Sequence, residues 1–300
     1  MNVTFPPEKR HRVIVSTDAK NEADDQFAIV HAILTSSFDL HGIIAAHFGQ
    51  HPGRPEDSMA ASLDEVNLLL RLMNLEGRVR VAPGAKRALP DERTPQPSPG
   101  AQLIIDEAMR DDPRPLTVLF YGPLTDMASA ILLEPLIADR NIHAIWAGGA
   151  DGPTHYGKEF NLGNDVHAAN LVMRSKLAVS QVPYPLYGHF CVSYAELAEK
   201  VFPQGPLGRY LVELLSEYNA GSAKMEMEYR SLGDSPVVGV LMAPHAGKWS
   251  CQPAPQYDPE TCAMTRLETG RPVRVFETFD ARFLLEDFHA KLARFARERS

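Results

Sequence analysis

The chain has 300 residues, of which 44% are hydrophobic and 23% charged, so it is long enough to bury a large core. Its formal net charge of -8 argues against a nucleic-acid backbone or an anionic membrane as partner, because either needs a basic face; we expect a small-molecule ligand. No apolar run is typical of a signal peptide or approaches the roughly 20 residues of a membrane helix, which predicts a cytoplasmic protein. The cysteines are odd in number and lack CxxC spacing, which indicates neither a disulfide framework nor a zinc-thiolate site: Cys191, Cys251 and Cys262.

Short apolar runs alternate with segments of helical periodicity along the first half of the chain. The apolar runs predict buried parallel strands at 12–16, 40–48, 78–84, 116–122 and 142–150. Apolar residues three and four apart predict helices at 24–36, 62–75, 101–111 and 124–135. This alternation predicts an α/β fold with a mostly parallel, Rossmann-like central sheet and helices on both faces, in a single domain covering 1–300.

The rest of the chain is expected to decorate the same sheet. The proline-rich segment 89–100 has turn chemistry and predicts an exposed loop. Residues 203–232 are predicted to be largely helical, and residues 271–296 a strand followed by a terminal helix. The C-terminal third is therefore predicted to consist mainly of helical additions around the site.

The stretch TDAKNEADDQ, residues 17–26, places three aspartates where the first strand becomes a helix. One interpretation is local: Asp24 and Asp25 favour the first turn of a helix, and Asp18 caps a turn. The other is a hard dication, since Ca²⁺ takes six to eight oxygen ligands and Mg²⁺ also prefers oxygen. Three carboxylates converging in one turn favour the cation.

Ligands of open parallel sheets bind beyond the carboxyl ends of the strands. Gln50 and His51 follow the second strand, Tyr121 follows the fourth, and the loop GGADGPTHYGKEFN follows the fifth. We expect all of them on the same edge as the acidic loop.

Six motifs in this order resemble the inosine-uridine-preferring nucleoside hydrolase family: VIVSTDAKNEADDQFAIVHAIL, GIIAAHFGQ, LFYGPLTDMASAI, IWAGGA, KEFNLGNDVHAAN and GDSPVVGVL. The similarity runs from about residue 12 to 242. It implies an enzyme that cleaves the N-glycosidic bond of a ribonucleoside or related riboside, with a calcium ion chelating the ribose 2′- and 3′-hydroxyls. It also implies a homodimer or homotetramer.

The resemblance assigns roles to the acidic residues. It implies that Asp18 ligates the metal and acts as general base, that Asp25 and Asp234 are further metal ligands, and that Asp24 binds the 2′-hydroxyl. Tyr121 would offer its backbone carbonyl to the ion. For Asp234 the alternative is a capping side chain at the start of a helix.

The resemblance also places the substrate's other hydroxyls. Glu159 and Asn161 match the family's contacts to the 5′-hydroxyl, and Gln50 stands where an asparagine usually contacts the 3′-hydroxyl. For Glu159 and Asn161 the alternative is a polar loop that caps the following helix.

The sequence departs from the family pattern at four places. The acidic loop is two residues longer than in the family and begins with Ser16 where an aspartate is usual. Gly233 replaces the histidine that protonates purine leaving groups, and Gly152-Pro153 replaces the Gly-Asn of the loop after GGA. A histidine-containing loop found in many members is missing after residue 90. The preferred candidates for a replacement acid are His155 and Tyr229, and the others are His51, His189 and His245. Segments 227–233 and 243–258 carry aromatic and basic residues that either wall the leaving-group pocket or pack in the ordinary way.

Two other functions stay open at this point. One is a metal-dependent hydrolase acting on a different sugar or a phosphoester, and the other is a sugar- or nucleoside-binding protein without catalysis. Gly233 keeps the binding protein in contention, because it removes a family acid.

Overall fold

The computed structural model of the chain describes residues 5–150, 154, 157–221, 228–266 and 271–299. The strands are β1 (His11–Thr17), β2 (Phe38–Ala45), β3 (Val81–Pro83), β4 (Leu116–Phe120), β5 (Ile142–Ala147), β6 (Ala178–Val182), β7 (Cys191–Ser193), β8 (Tyr229–Ser231), β9 (Gly247–Pro253), β10 (Pro255–Tyr257), β11 (Met264–Arg266) and β12 (Pro272–Phe279). The helices are α1 (Asp25–Leu34), α2 (Ser58–Leu72), α3 (Pro99–Met109), α4 (Thr125–Leu133), α5 (Phe160–Asn164), α6 (Val166–Arg174), α7 (Tyr184–Tyr187), α8 (Tyr194–Lys200), α9 (Gly205–Gly221), α10 (Ser235–Met242) and α11 (Ala281–Arg297).

Within the described residues, eight strands form one sheet in the order β3-β2-β1-β4-β5-β6-β12-β9. All neighbouring pairs are parallel except β12 and β9, which are antiparallel. The strand order reverses direction between β1 and β4, as in doubly wound sheets, and the carboxyl ends of both strands meet there. The predicted α/β class with a mostly parallel sheet is confirmed.

Apolar side chains cover both faces of the sheet. Val13 and Val15 of β1 belong to one buried cluster, with α1, α10 and α11, whereas Ile14 belongs to the other, with α3, α4 and α6. Successive side chains of a strand point to opposite faces, so a strand buried on both sides needs an unbroken apolar run. That run is what identified β1 in the sequence.

The C-terminal third differs from the expectation in two respects. Residues 229–231 are a strand, β8, which pairs with β7, so the predicted helical segment does not extend to residue 232. β9 adds an edge strand to the central sheet, so this part of the chain is more than helical additions. Short edge strands with polar residues, such as GKWSCQP, carry little periodic signal.

Among the described helices, not one combines the length and apolar character that crossing a bilayer requires.

Candidate active site

A pocket of about 480 Å³ opens beyond the carboxyl ends of β1 and β4. Its wall combines the acidic loop, the segment after β5, α7 and the turn before α10. Its lining residues include Asn21, Glu22, Asp24, Asp25, Arg54, Tyr121, Lys158, Glu159, Asn161, Tyr184, Tyr187, His189, Tyr229, Arg230, Gly233 and Asp234. The edge expected from the strand order therefore does gather residues distant in sequence.

Three carboxylates converge on this pocket. Asp24, Asp25 and Asp234 each offer an oxygen, and these oxygens all lie within 4.8 Å of one another. Asp24 and Asp234 stand at the N-caps of α1 and α10, but neither side chain makes a capping hydrogen bond. Helix capping therefore does not account for either carboxylate.

Each member of this acidic trio has a different set of protein contacts. Asp24 Oδ2 accepts a hydrogen bond of 2.9 Å from the Gly233 backbone N–H. Asp25 Oδ1 accepts one from the Thr17 hydroxyl. Asp234 places a carboxylate oxygen within 4.8 Å of those of Asp24 and Asp25.

Asp18 is fully buried, and neither of its carboxylate oxygens has a hydrogen-bond partner. It is absent from the pocket lining, yet the charges of Asp25 and Asp24 act on it. A Cβ atom on Gly122 would lie 2.8 Å from Asp18 Cγ, so the glycine leaves room for the carboxylate. A buried carboxylate without a partner is costly, which calls for a compensating cation.

The electrostatics of these groups agree with their crowding. Burial, followed by the charges of Asp25 and Asp24, raises the pKa of Asp18 well above its ordinary value. Burial and then the charge of Asp24 likewise raise the pKa of Asp25 and that of Asp234. Without a bound cation, the cluster therefore tends to take up protons.

The donor set fits a hard dication. Among the described residues it consists of three carboxylates, with no sulfur or imidazole ligand, and Tyr121 lines the same pocket. Oxygen-only sites suit Ca²⁺ or Mg²⁺. The structure groups Asp24 with Asp25 and Asp234. The resemblance had implied instead that Asp24 binds the ribose 2′-hydroxyl and that Asp18 is the metal ligand.

Asn161 fixes the backbone behind the site. Its Nδ2 donates to the carbonyl oxygen of Tyr121 at 2.7 Å and to that of Ala147 at 2.9 Å. Both amide protons are thereby used, and they tie the end of β4 to the end of β5. Only Oδ1 of Asn161 remains as a group that could accept from a substrate.

Glu159 caps α5, as the alternative interpretation anticipated. Its carboxylate accepts from the backbone N–H groups of Asn161 and Leu162, at 3.0 and 2.9 Å. It also accepts from Gly149 N at 2.6 Å and from the Tyr187 hydroxyl. The residue lines the pocket, so capping and a place at the site are both realised.

The remaining predicted residues divide into groups. Tyr229 lines the pocket and is 46% exposed, and His189 lines it too, with Nδ1 3.0 Å from the Pro185 carbonyl. Gln50 borders a separate depression next to Asp57 and Lys86, away from the trio. His155 lies outside the described residues.

The other two candidate acids, and one candidate wall, are not at the pocket. His51 stacks on Phe160 with ring centroids 4.9 Å apart and contacts Asn164, and neither it nor His245 lines the pocket. Segment 243–258 contains β9 and β10 and contributes no residue to the pocket lining, which favours ordinary packing, the other interpretation of its aromatic and basic residues.

Segment 227–233, one of the two candidate walls, does line the pocket through Tyr229, Arg230 and Gly233, but sequence analysis missed the tyrosines of α7 and the contacts of Arg230. Arg230 is 2% exposed, pairs with Glu22 at 2.7 Å and lies 5.0 Å from the Tyr218 ring centroid, with Arg54 at 5.1 Å from the same ring. Tyr184 and Tyr187 follow β6, a strand whose Ser180 and Gln181 interrupt the apolar pattern. Had β6 been recognised, the strand-end rule would have identified these tyrosines.

Comparison with known proteins places this architecture in a family. The family model described as "Inosine-uridine preferring nucleoside hydrolase" matches residues 13–284. An inosine-uridine preferring nucleoside hydrolase of Leishmania major is 29% identical over 146 residues, 48% of this chain and 46% of that protein. The pyrimidine-specific ribonucleoside hydrolase RihA of Citrobacter koseri is 24% identical over 266 residues, 80% of this chain and 75% of that protein. This chain thus aligns with only about half the length of the Leishmania relative.

Solved structures share the fold over nearly the whole chain. A purine-preferring ribonucleoside hydrolase from Gardnerella vaginalis superposes with a TM-score of 0.78 at 18% identity, covering 96% of this chain and 100% of its own. The plant nucleoside hydrolase PpNRh1 superposes with a TM-score of 0.76 at 16% identity, covering 96% of this chain and 99% of its own.

Proposed function

Because this chain belongs to the inosine-uridine preferring nucleoside hydrolase family, we propose that it hydrolyses the N-glycosidic bond of a ribonucleoside or related riboside. The products are ribose and the free base. The observation that carries this proposal is the convergence of Asp24, Asp25 and Asp234 within 4.8 Å under a pocket of about 480 Å³, beside the unpartnered Asp18. A pocket of that volume has room for a nucleoside.

The proposed cofactor is Ca²⁺, with Mg²⁺ as the alternative. Asp25, Asp234 and the Tyr121 carbonyl would hold it, together with Asp24 or Asp18. Such an ion supplies Lewis acidity when bound, lowering the pKa of a water molecule and orienting a vicinal diol. The trio supports this, because its members are close together and are not used for helix capping.

The protein's own groups divide the remaining work. Asp18 Oδ1 or Oδ2 would accept the proton of the attacking water, since both oxygens lack a hydrogen-bond partner. The ribose 2′- and 3′-hydroxyls would face the trio, and C5′ would extend toward Glu159 and Asn161 across the pocket. At the transition state the sugar has oxocarbenium character, which the surrounding carboxylates stabilise electrostatically.

The departing base needs a proton or a hydrogen-bond donor. Tyr229 is the proposed donor among the described residues, because it lines the pocket and is exposed enough to meet a base near the opening. His155 stays a second candidate from the sequence. The proposal covers purine and pyrimidine bases alike, since a pyrimidine-specific relative and a purine-preferring structural neighbour both occur.

Ribose release tests the proposal directly. The purified protein is given a panel of purine, pyrimidine and modified ribosides with calcium, with a chelator, and with calcium restored after chelation. We expect release that chelation stops and calcium restores. Asp18→Asn should lower kcat by at least about 100-fold, the usual contribution of a general base. Asp139→Asn, on the surface beside Lys176, is the matched control and should keep full activity.

Other outcomes identify the alternatives. Tight riboside binding without release would replace the hydrolase by a binding protein, and activity confined to phosphoesters would assign a different hydrolase. A homodimer or homotetramer is also proposed, and light scattering coupled to gel filtration tests it.

A further inference from the structure

Tyr187 lines the pocket between the acidic trio and Glu159. Its ring packs against Gly233, where an added Cβ atom would come within 2.9 Å of Tyr187 Cδ2 and 3.3 Å of Asp24 Oδ2. Its hydroxyl, at the other end of the side chain, donates to Glu159 Oε1. One tyrosine side chain therefore spans from the trio to Glu159, a length comparable to that of a furanose with its exocyclic carbon.

The Glu159 carboxylate has no acceptor position left. Oε2 accepts from Gly149 N at 2.6 Å and Leu162 N at 2.9 Å, and Oε1 accepts from Asn161 N at 3.0 Å and from Tyr187. An ionised carboxylate offers about four lone-pair positions, so these four donors fill it. Three of the donors are backbone amides fixed by α5 and the end of β5. Only the Tyr187 hydroxyl could be replaced by a group from a ligand.

The neighbouring amide does not compensate. Both protons of Asn161 Nδ2 are used on the carbonyl oxygens of Tyr121 and Ala147, which leaves only the neutral Oδ1 on the pocket side. Within the part of the chain that the structure describes, a hydroxyl that reaches Glu159 and Asn161 thus meets no free charged acceptor on these two side chains while Tyr187 stays in place.

We infer that Tyr187 occupies the acceptor of Glu159 that a substrate 5′-hydroxyl would otherwise use, so that the substrate class includes 5′-deoxyribosides as well as ribosides. This inference rests on the proposed function. Tyr187 is then a specificity-determining residue. Removing its hydroxyl leaves the ring in place and opens one charged acceptor for the 5′-hydroxyl.

The test compares paired substrates in the wild type and in Tyr187→Phe. The pairs are uridine with 5′-deoxyuridine and inosine with 5′-deoxyinosine, and the quantity is the ratio of kcat/KM values within each pair. For the wild type we expect a ratio within about threefold of one. For Tyr187→Phe the ratio should rise at least about tenfold in favour of the 5′-hydroxyl, because a hydrogen bond to a charged acceptor contributes at least that much.

Tyr184→Phe is the matched control. The Tyr184 ring meets the Tyr187 ring edge-on with centroids 5.4 Å apart, and Tyr184 also lines the pocket. Its hydroxyl is not among the four donors to Glu159, so its removal should leave the ratio unchanged. An equal rise in both variants would mean that any lost phenol alters the pocket, and that would overturn the inference.

The possible failures are separable. A wild-type preference above tenfold for the 5′-hydroxyl, unchanged in Tyr187→Phe, would refute the role of Tyr187 while leaving the hydrolase intact. If no riboside is hydrolysed, the proposed function fails, and calorimetry with ribose and 5-deoxyribose in the presence of calcium decides on Tyr187. Equal affinities in the wild type and a preference for ribose in Tyr187→Phe would support the inference; any other pattern, including no binding, would reject it.

Discussion

Asp234→Asn separates a metal site from an ordinary acidic helix cap. The carboxylate of Asp234 lies within 4.8 Å of oxygens of Asp24 and Asp25. At an effective dielectric constant of about 20, each such pair of charges repels by about 3.5 kcal/mol, or about 7 kcal/mol for the two pairs. Keeping one aspartate protonated at pH 7 costs only about 4 kcal/mol relative to its usual pKa, so the calcium-free protein takes up a proton instead.

The free-energy cost of protonating one aspartate, being smaller than the repulsion, sets the stability that Asp234→Asn should gain. Asn removes the charge and retains the shape, so calcium-free Asp234→Asn should gain about 2 to 4 kcal/mol over the calcium-free wild type. For a chain of this length that corresponds to a rise in Tm of about 3 to 6 °C. Calcium at about 100 times its Kd should stabilise the wild type by about 2.7 kcal/mol, and the variant far less.

Differential scanning calorimetry measures both quantities, in chelator and in calcium. Asp139→Asn, whose side chain is 59% exposed, should match the wild type in both buffers, because surface ion pairs contribute little. A calcium-free Asp234→Asn that melts below the wild type, with an unchanged response to calcium, would refute the metal site at the trio. Asp234 would then be a structural residue.

Two further predictions concern the room around Asp18 and the response to acid. Gly122→Ala would place a Cβ atom 2.8 Å from Asp18 Cγ. We therefore expect the calcium affinity, measured by calorimetry, and kcat/KM each to fall at least about tenfold. Gly163→Ala is the control and should change neither quantity, because the nearest contact of its added Cβ atom would be an ordinary 3.4 Å. Burial, and then the nearby arginines, lower the pKa of His143 to about 4. The unfolded chain therefore binds this proton first, and the free energy of unfolding should fall by up to about 3 kcal/mol as the pH drops from about 6.5 to 4. Chemical denaturation across that range should show a shallower decline for His143→Gln, and an identical decline would contradict the assignment.

Sequence analysis found β1 and β4 through short unbroken apolar runs, residues 13–15 in β1 and 118–120 in β4. Both strands are buried on both faces of the sheet, which favours such runs. β6 is buried too, but Ser180 pairs with His143 and Gln181 donates to the Gly148 carbonyl and the Tyr257 hydroxyl. A buried polar side chain interrupts the apolar pattern of a strand, so the strand cannot be recognised from sequence until the side chain's tertiary partners are known.

The same limit applied to the site. Proximity of Asp234 to the acidic loop could be expected from motif order, because both follow the pattern of a known family. The proximity of Asp234 to Asp24 in particular could not be expected from the sequence, because it depends on the conformation of the lengthened acidic loop. Gln26 fixes this loop by donating to the Ala19 carbonyl at 2.6 Å and to Glu65 at 3.0 Å, and Lys20 pairs with Glu65 at 2.8 Å. These contacts join the loop to α2, far along the chain.

The acidic trio also bears on how the fold tolerates its own site. Several kcal/mol of repulsion and burial are comparable to the whole stability of a typical domain, so they must be offset elsewhere. The compensating free energy comes from burial of apolar side chains, because β1 and β4, on either side of the topological switch, are packed between two apolar clusters. Asp18 follows β1 directly, and the Tyr121 carbonyl is held by Asn161. The groups that would bind a cation are thus attached to deeply buried strands of the sheet. Packing of these strands can hold the carboxylates in place against their mutual repulsion, which a bound cation would neutralise.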